Sequence, residues 1–131
     1  MPVIRILSVG QCSYDDGRIR RSILKGLDAE VIAVSTQKEA QRILREEKFD
    51  VVLVNRIGDQ DSALGLDFIQ LLKSEPTTAN IRSLLVSDLA DAQEAAVRLG
   101  AAKGFGKVDL ETTKPVEALV NALAISPSVN V

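Results

Sequence analysis

Five short apolar runs punctuate the chain: VIRILSV at 3–9, EVIAVS at 30–35, DVVLV at 50–54, RSLLVS at 82–87 and a weaker KGFG at 103–106. The first four are nearly continuous rather than alternating. That is the pattern of strands covered on both faces, as in a parallel sheet between helices. Their Val and Ile content favours strand over buried helix. Helical periods fill the gaps. Residues 17–27 place Ile19, Ile23, Leu24 and Leu27 on one face. Thr36-Gln37-Lys38-Glu39 is a capping box, with Thr36 capping and Glu39 reaching back, and it opens a helix whose Ala40, Ile43 and Leu44 point inward. Residues 64–74 carry Leu64, Phe68, Leu71 and Leu72 at helical spacing, and Pro76 follows as a stop. Residues 90–99 offer Ala92, Ala95, Ala96 and Leu99, with Gly100 placed for a left-handed C-terminal cap. A last helix over 111–124 aligns Val116, Leu119, Val120 and Leu123, and it tolerates Pro115 only in its first turn. The tail ISPSVNV at 125–131 has no pattern and is expected to fray.

Strands and helices thus alternate five times over residues 1–124. The alternation predicts one α/β domain, a doubly wound parallel sheet with right-handed crossovers and helices on both faces. There is no internal repeat and no low-complexity tract. Ligands in such folds bind beyond the carboxyl ends of the strands, near the switch point in strand order. Chemistry is therefore sought at Gly10-Gln11-Cys12, Asn55-Arg56, Ser87-Asp88 and Gly106-Lys107.

Composition removes several classes of function. At 131 residues, 46% apolar, the chain suits a single domain with a real core. Its only aromatics are Tyr14, Phe49, Phe68 and Phe105, so aliphatic side chains must build that core. The net charge of −2 offers no electrostatic footprint for nucleic acid, and the run Arg18 to Arg21 reads as a solvated helix face. A single cysteine, Cys12, forms no intrachain disulfide and fits a reducing compartment. No run approaches a membrane span and the N-terminus has no signal-peptide pattern, so the expectation is cytoplasmic with no membrane contact. There is no histidine, which removes His-based acid–base catalysis, Ser-His and Cys-His nucleophile pairs and His metal sites. No enzyme is expected.

The strand ends carry a resemblance. Over residues 3–124 the chain resembles the receiver domains of two-component response regulators, which are CheY-like. GLDFIQLLKSEPTTANIRSLLVSD at 65–88 is similar to that family's third helix and fourth strand, and Gly100-Ala101 with Lys107 follows its Gly-Ala…Lys spacing. The resemblance implies a flavodoxin-like (βα)5 three-layer sandwich with strand order 2-1-3-4-5. It implies a phosphorelay signalling domain whose partner is a protein. In that family two acidic residues after the first strand hold Mg2+, and an aspartate after the third strand attacks a phosphoryl group. A Ser or Thr after the fourth strand and a Lys after the fifth hold the phosphoryl oxygens. Cation and fixed donors neutralise the transferring charge.

Ser87 and Lys107 fit this scheme, and three positions depart from it. Gly10 and Gln11 stand at the acidic pair and Asn55 stands at the phosphoacceptor. A neutral amide is a very poor nucleophile, and Mg2+ without these carboxylates lacks its anionic ligands. The implied type is a pseudo-receiver with no cofactor, acting through protein–protein interaction. Val108 replaces the usual proline, Gly104 stands at the aromatic switch position, and Phe105 is displaced by one residue. Phe105 and Lys107 are expected on the contact face formed by helix four, strand five and helix five. Ser87 and Lys107 are expected to hydrogen-bond with Asn55.

Alternatives stay open. Asp15, Asp16, Asp59, Asp61 and Asp88 flank the carboxyl edge and are candidates for a displaced cation site, although each also precedes a helix it could cap. Asp59 or Asp61 could serve as a displaced phosphoacceptor. A small-molecule or nucleotide sensor on the same fold is the other alternative. Cys12 reads as a small buried hydrophobe.

Overall fold

The computed structural model describes residues 3–125. Its elements run in order as β1 (Ile4–Val9), α1 (Ser13–Leu24), β2 (Ala29–Val34), α2 (Gln37–Glu46), β3 (Val51–Asn55), α3 (Gly65–Ser74), β4 (Arg82–Val86), α4 (Ala90–Arg98), β5 (Ala102–Phe105) and α5 (Lys114–Leu123). One five-stranded sheet has the order β2-β1-β3-β4-β5 with all pairs parallel. The five apolar runs thus became the five strands, in the expected order.

Central strand β3 explains why the runs lack alternation. Val52 and Val54 pack into one core with Phe68, Ile69 and Leu72 of α3. Val51 and Leu53 pack into a second core with Ile19 and Ile23 of α1 and Leu119 of α5. Both faces of the strand are buried, so every position from Val51 to Val54 is apolar, and only Asn55 at its carboxyl end is polar. Helices α2, α3 and α4 cover one face of the sheet, and α1 and α5 cover the other. No helix among the described residues is long and apolar enough to cross a membrane.

Helix boundaries moved where local chemistry differed from the apolar period. Helix α1 begins at Ser13 rather than 17 because the Cys12 Sγ accepts the Asp15 N–H at 3.4 Å, a thiol serving as the cap. It ends early, so Leu27 reaches the core from the following turn, while Leu24 is exposed instead of facing inward. Leu64 likewise lies outside α3, before its first residue, and is exposed. Thr36 caps α2 as expected, its Oγ1 accepting the Glu39 N–H at 3.1 Å. Helix α5 starts at Lys114 rather than 111. Glu111 has φ +68°, a left-handed backbone that no helix can pass through, and Pro115 consequently falls in the first turn. Of the tail expected at 125–131, Ile125 packs at the edge of the α1–α5 core and the rest lies outside the described residues.

The edge of the sheet carries an irregularity that positions the site. Leu84 pairs with Ala102 and Val86 with Phe105, so three steps on β5 oppose two on β4, a β-bulge. The Gln93 side chain of α4 stitches this bulge. Its Nε2 donates to the Leu85, Ser87 and Phe105 carbonyls at 2.9, 3.0 and 3.3 Å, and its Oε1 accepts the Gly104 N–H at 3.2 Å. Gly104 is required there because a Cβ would overlap the Leu85 carbonyl. The bulge turns Phe105 inward, where it is 3% exposed among the residues facing α1 and α5. Phe105, expected on the contact face, is therefore a core residue.

Gln93→Leu keeps the bulk and removes all four bonds. It is expected to cost about 2 kcal/mol, since buried carbonyls lose their donor, and urea unfolding should show a lower midpoint with an unchanged slope.

Candidate functional site

The carboxyl ends of β1, β3, β4 and β5 meet at one edge, as the sequence implied. A cleft of 260 Å³ opens there, lined by Asn55, Arg56, Ile57, Ser87, Leu89 and Lys107 among others. Its side chains do not form the expected cluster. Asn55 is 7% exposed, and its Nδ2 donates to the Gly10 carbonyl at 2.9 Å. Ser87 does not reach Asn55; its Oγ accepts the Leu89 N–H at 3.1 Å, at the start of α4. Lys107 does not reach Asn55 either; its Nζ lies 3.1 Å from the Asp15 carboxylate. The expectation that both would bond to Asn55 is therefore corrected. Asn55 is satisfied by backbone, and Lys107 by a carboxylate from α1.

Gly10 is a backbone hub. It has φ +79°, a conformation that favours glycine. Its N–H donates to the Val34 carbonyl at 3.0 Å, and its carbonyl accepts from both Asn55 Nδ2 and the Asp59 N–H at 2.9 Å. An acidic residue at position 10 would be strained there. The Gln11 amide next to it is buried, with neither its nitrogen nor its oxygen hydrogen-bonded among the described residues.

Asp15, which with Asp16 offered either a cation ligand or a cap for α1, is instead an ion-pair partner. It is 8% exposed and is the one charged residue among the buried polar groups described. One carboxylate oxygen meets Lys107, and the other lies 3.7 Å from Arg18. No periodicity marked this in the sequence, because Gln11 and the Cys12 cap precede the helix; Asp15 lies in the first turn of α1 and reaches Lys107, which lines the cleft. The same face of α1 grips the β5–α5 connection further on. Glu111 meets Arg18 at 3.6 Å and Arg21 at 3.2 Å, and its N–H donates to Ser22 Oγ at 2.6 Å. The Arg21 hydrogen bond holds the Glu111 carboxyl below its ordinary value, opposed by burial and helped by the charges of Arg18, Arg21 and Lys25.

The remaining aspartates are dispersed. Asp16 meets Arg20 at 3.6 Å, and its other oxygen is buried without a partner among the described residues. Asp59 is exposed and accepts from Gln60 at 3.2 Å. Asp61 was expected to cap α3; instead it accepts the Ala63 N–H and the Gln37 N–H, both at 3.0 Å, which ties the loop to the start of α2. Asp88 was expected to cap α4 and instead accepts the Val108 N–H at 3.0 Å. No group of three or more Asp, Glu or Cys side chains among the described residues is placed to hold a metal ion. A second groove of 420 Å³ lies between β5 and α5, flanked by Lys103, Asp109, Lys114 and Glu117.

No protein-family model matches the chain, and no curated protein matches it in sequence. Solved structures match it in fold. A response regulator from Thermotoga maritima superposes with a TM-score of 0.78 at 19% identity, covering 94% of this chain and 99% of that one. The fold is that of a response-regulator receiver domain. The chemotaxis response regulator CheY4 of Vibrio cholerae matches with a TM-score of 0.69 at 14% identity, over 94% of this chain and 98% of that one. A response regulator protein from Burkholderia pseudomallei, solved with a phosphorylated aspartic acid and a calcium ion, matches with a TM-score of 0.68 at 21% identity, over 92% of this chain and 66% of that one. At these identities the likeness establishes the receiver fold alone.

Two measurements probe the rebuilt cleft. Asn55→Asp replaces a donor to the Gly10 carbonyl with a carboxylate that can only repel it, and is expected to lower stability by about 1–3 kcal/mol at neutral pH in denaturant unfolding. The Glu111 contact has a pH signature. Its carboxyl pKa is depressed in the folded chain, so its contribution is complete above the unfolded carboxylate pKa and is lost as pH falls through the folded one. Amide protection factors at 109–112, taken relative to the intrinsic exchange rate at each pH, should fall more on acidification in the native chain than in Glu111→Gln.

Proposed function

We propose that this chain is a receiver-type signalling domain of the two-component class that acts by docking to a protein partner, without aspartyl phosphorylation at position 55. One observation carries the reading. The side chain at the phosphoacceptor position is a buried amide that spends its donor on the Gly10 carbonyl, so it offers neither charge nor nucleophile. Two neighbouring facts support it. The lysine that would hold a phosphoryl oxygen lies against Asp15, and the acidic-pair positions are a left-handed glycine and a glutamine. The carboxylate of Asp15 takes the place that a phosphoryl group would have as the counter-charge of Lys107. Mg2+ has no anionic ligands at positions 10, 11 and 55, and no cofactor enters this reading.

The partner surface in this reading is the face of α4, β5 and α5. Lys103 and the β5–α5 groove lie on it, and Phe105 does not contribute its ring. A displaced phosphoacceptor at Asp61 is less well supported by the geometry, because both its carboxylate oxygens accept backbone N–H groups; the exposed Asp59 remains the alternative.

Incubation with acetyl phosphate and Mg2+ is expected to give no hydroxylamine-sensitive adduct on the native chain or on Asn55→Asp. A phosphoaspartate on the native chain would overturn the reading, and peptide mapping would then show whether Asp59 or Asp61 carries it.

A further inference from the structure

The cleft left behind by the lost chemistry is not closed. Arg56 follows β3 and lines it, and its guanidinium has no hydrogen-bond or ion-pair partner among the described residues. That sets Arg56 apart from Lys107 across the cleft, which Asp15 neutralises, and from Arg18, Arg20 and Arg21, which all meet carboxylates. Ser87 Oγ accepts one hydrogen bond and keeps its own proton to donate, while Asn55 Oδ1 accepts none among the described residues. Two apolar side chains flank this polar floor: Ile57 at 41% and Leu89 at 52% exposure. A half-buried guanidinium with five donors, a hydroxyl donor and apolar lips match a carboxylate carried on a short aliphatic stem.

We propose that this cleft receives one Glu or Asp side chain of the protein partner, its carboxylate held by Arg56 and Ser87 and its stem between Ile57 and Leu89. The inference rests on the docking function proposed above and adds where and how the partner is read. Leu89 immediately precedes α4 and Lys107 follows β5, so the cleft lies at the carboxyl end of the same face. Charge favours a monoanion over a phosphate dianion. Arg56 supplies one positive charge with no ion-pair partner among the described residues, Lys107 is already balanced, and Asp88 also lines the cleft and repels any anion there, a dianion more than a monoanion.

The test uses the free chain and the blocked tripeptide acetyl-Leu-Glu-Leu-amide, followed by amide chemical shifts in NMR titration. Saturable shifts are expected at residues 55–57 and 86–89. The Gln version of the tripeptide should bind about tenfold more weakly or less, the loss of one charge-assisted pair. Arg56→Gln should weaken the Glu tripeptide by a similar factor with little change in melting temperature, because the guanidinium has no hydrogen-bond or ion-pair partner among the described residues. Leu89→Ser provides a second variant with an exposed target, and should weaken both tripeptides together. Equal binding of the Glu and Gln forms, an unchanged affinity in Arg56→Gln, or shifts confined to the β5–α5 groove would overturn the proposal. Inorganic phosphate binding more tightly than the Glu tripeptide would overturn it too, by making the cleft a phosphate site. These outcomes are independent of the acetyl phosphate experiment: an adduct there would remove the docking function, whereas a flat titration would remove only this acidic anchor.

Discussion

The Gly10 carbonyl organises the carboxyl edge of this molecule. It sits at the end of β1 and accepts from the Asn55 side chain at the end of β3 and from the Asp59 N–H in the next loop, both at 2.9 Å. A buried carbonyl in this position demands donors, and a carboxylate at position 55 could not supply one. The amide at 55 and the left-handed glycine at 10 are thus two halves of one arrangement rather than two separate losses. In the receiver fold this edge is where charge would be handled; here it is knitted by neutral backbone hydrogen bonds.

The edge also carries charge. Asp15 presents a carboxylate from the first turn of α1, and Lys107, which lines the cleft, meets it at 3.1 Å. With Glu111 held by Arg18, Arg21 and Ser22, one face of α1 binds both ends of the β5–α5 connection. Exposed ion pairs of this kind contribute about 0–1 kcal/mol each. The buried end at Asp15 matters more, because an unpaired carboxylate there would carry its desolvation cost alone. On the other side of β5, the Gln93 amide secures the bulge that buries Phe105. The β5–α5 connection is therefore held from the α1 side, and the strand that leads into it from the α4 side.

Much of this was legible in one dimension. Continuous apolar runs identify doubly covered strands, and β3 shows why: its alternate side chains enter two different cores. Thr36 and Gly100 were readable as caps because their chemistry is local. The displaced caps were not. Cys12 caps α1 with sulfur, and Asp61 serves α2 across 24 residues, so neither follows from propensity at the helix it precedes. Phe105 was misplaced because a bulge shifts side-chain facing by one, and a bulge is a property of two strands rather than of either alone.

The sequence by itself determined the alternation of strands and helices, the edge at which chemistry would lie, and the absence of a carboxylate at positions 10, 11 and 55. Those are statements about residue type and spacing, and spacing survives translation into structure. Only the tertiary structure decided which groups satisfy one another. Asn55 bonds to Gly10, 45 residues away, Lys107 finds Asp15, and Arg56 is left without a partner among the described residues. Those pairings depend on distances of a few ångströms between chain segments remote in sequence, and hydrogen bonds fall off within fractions of that length.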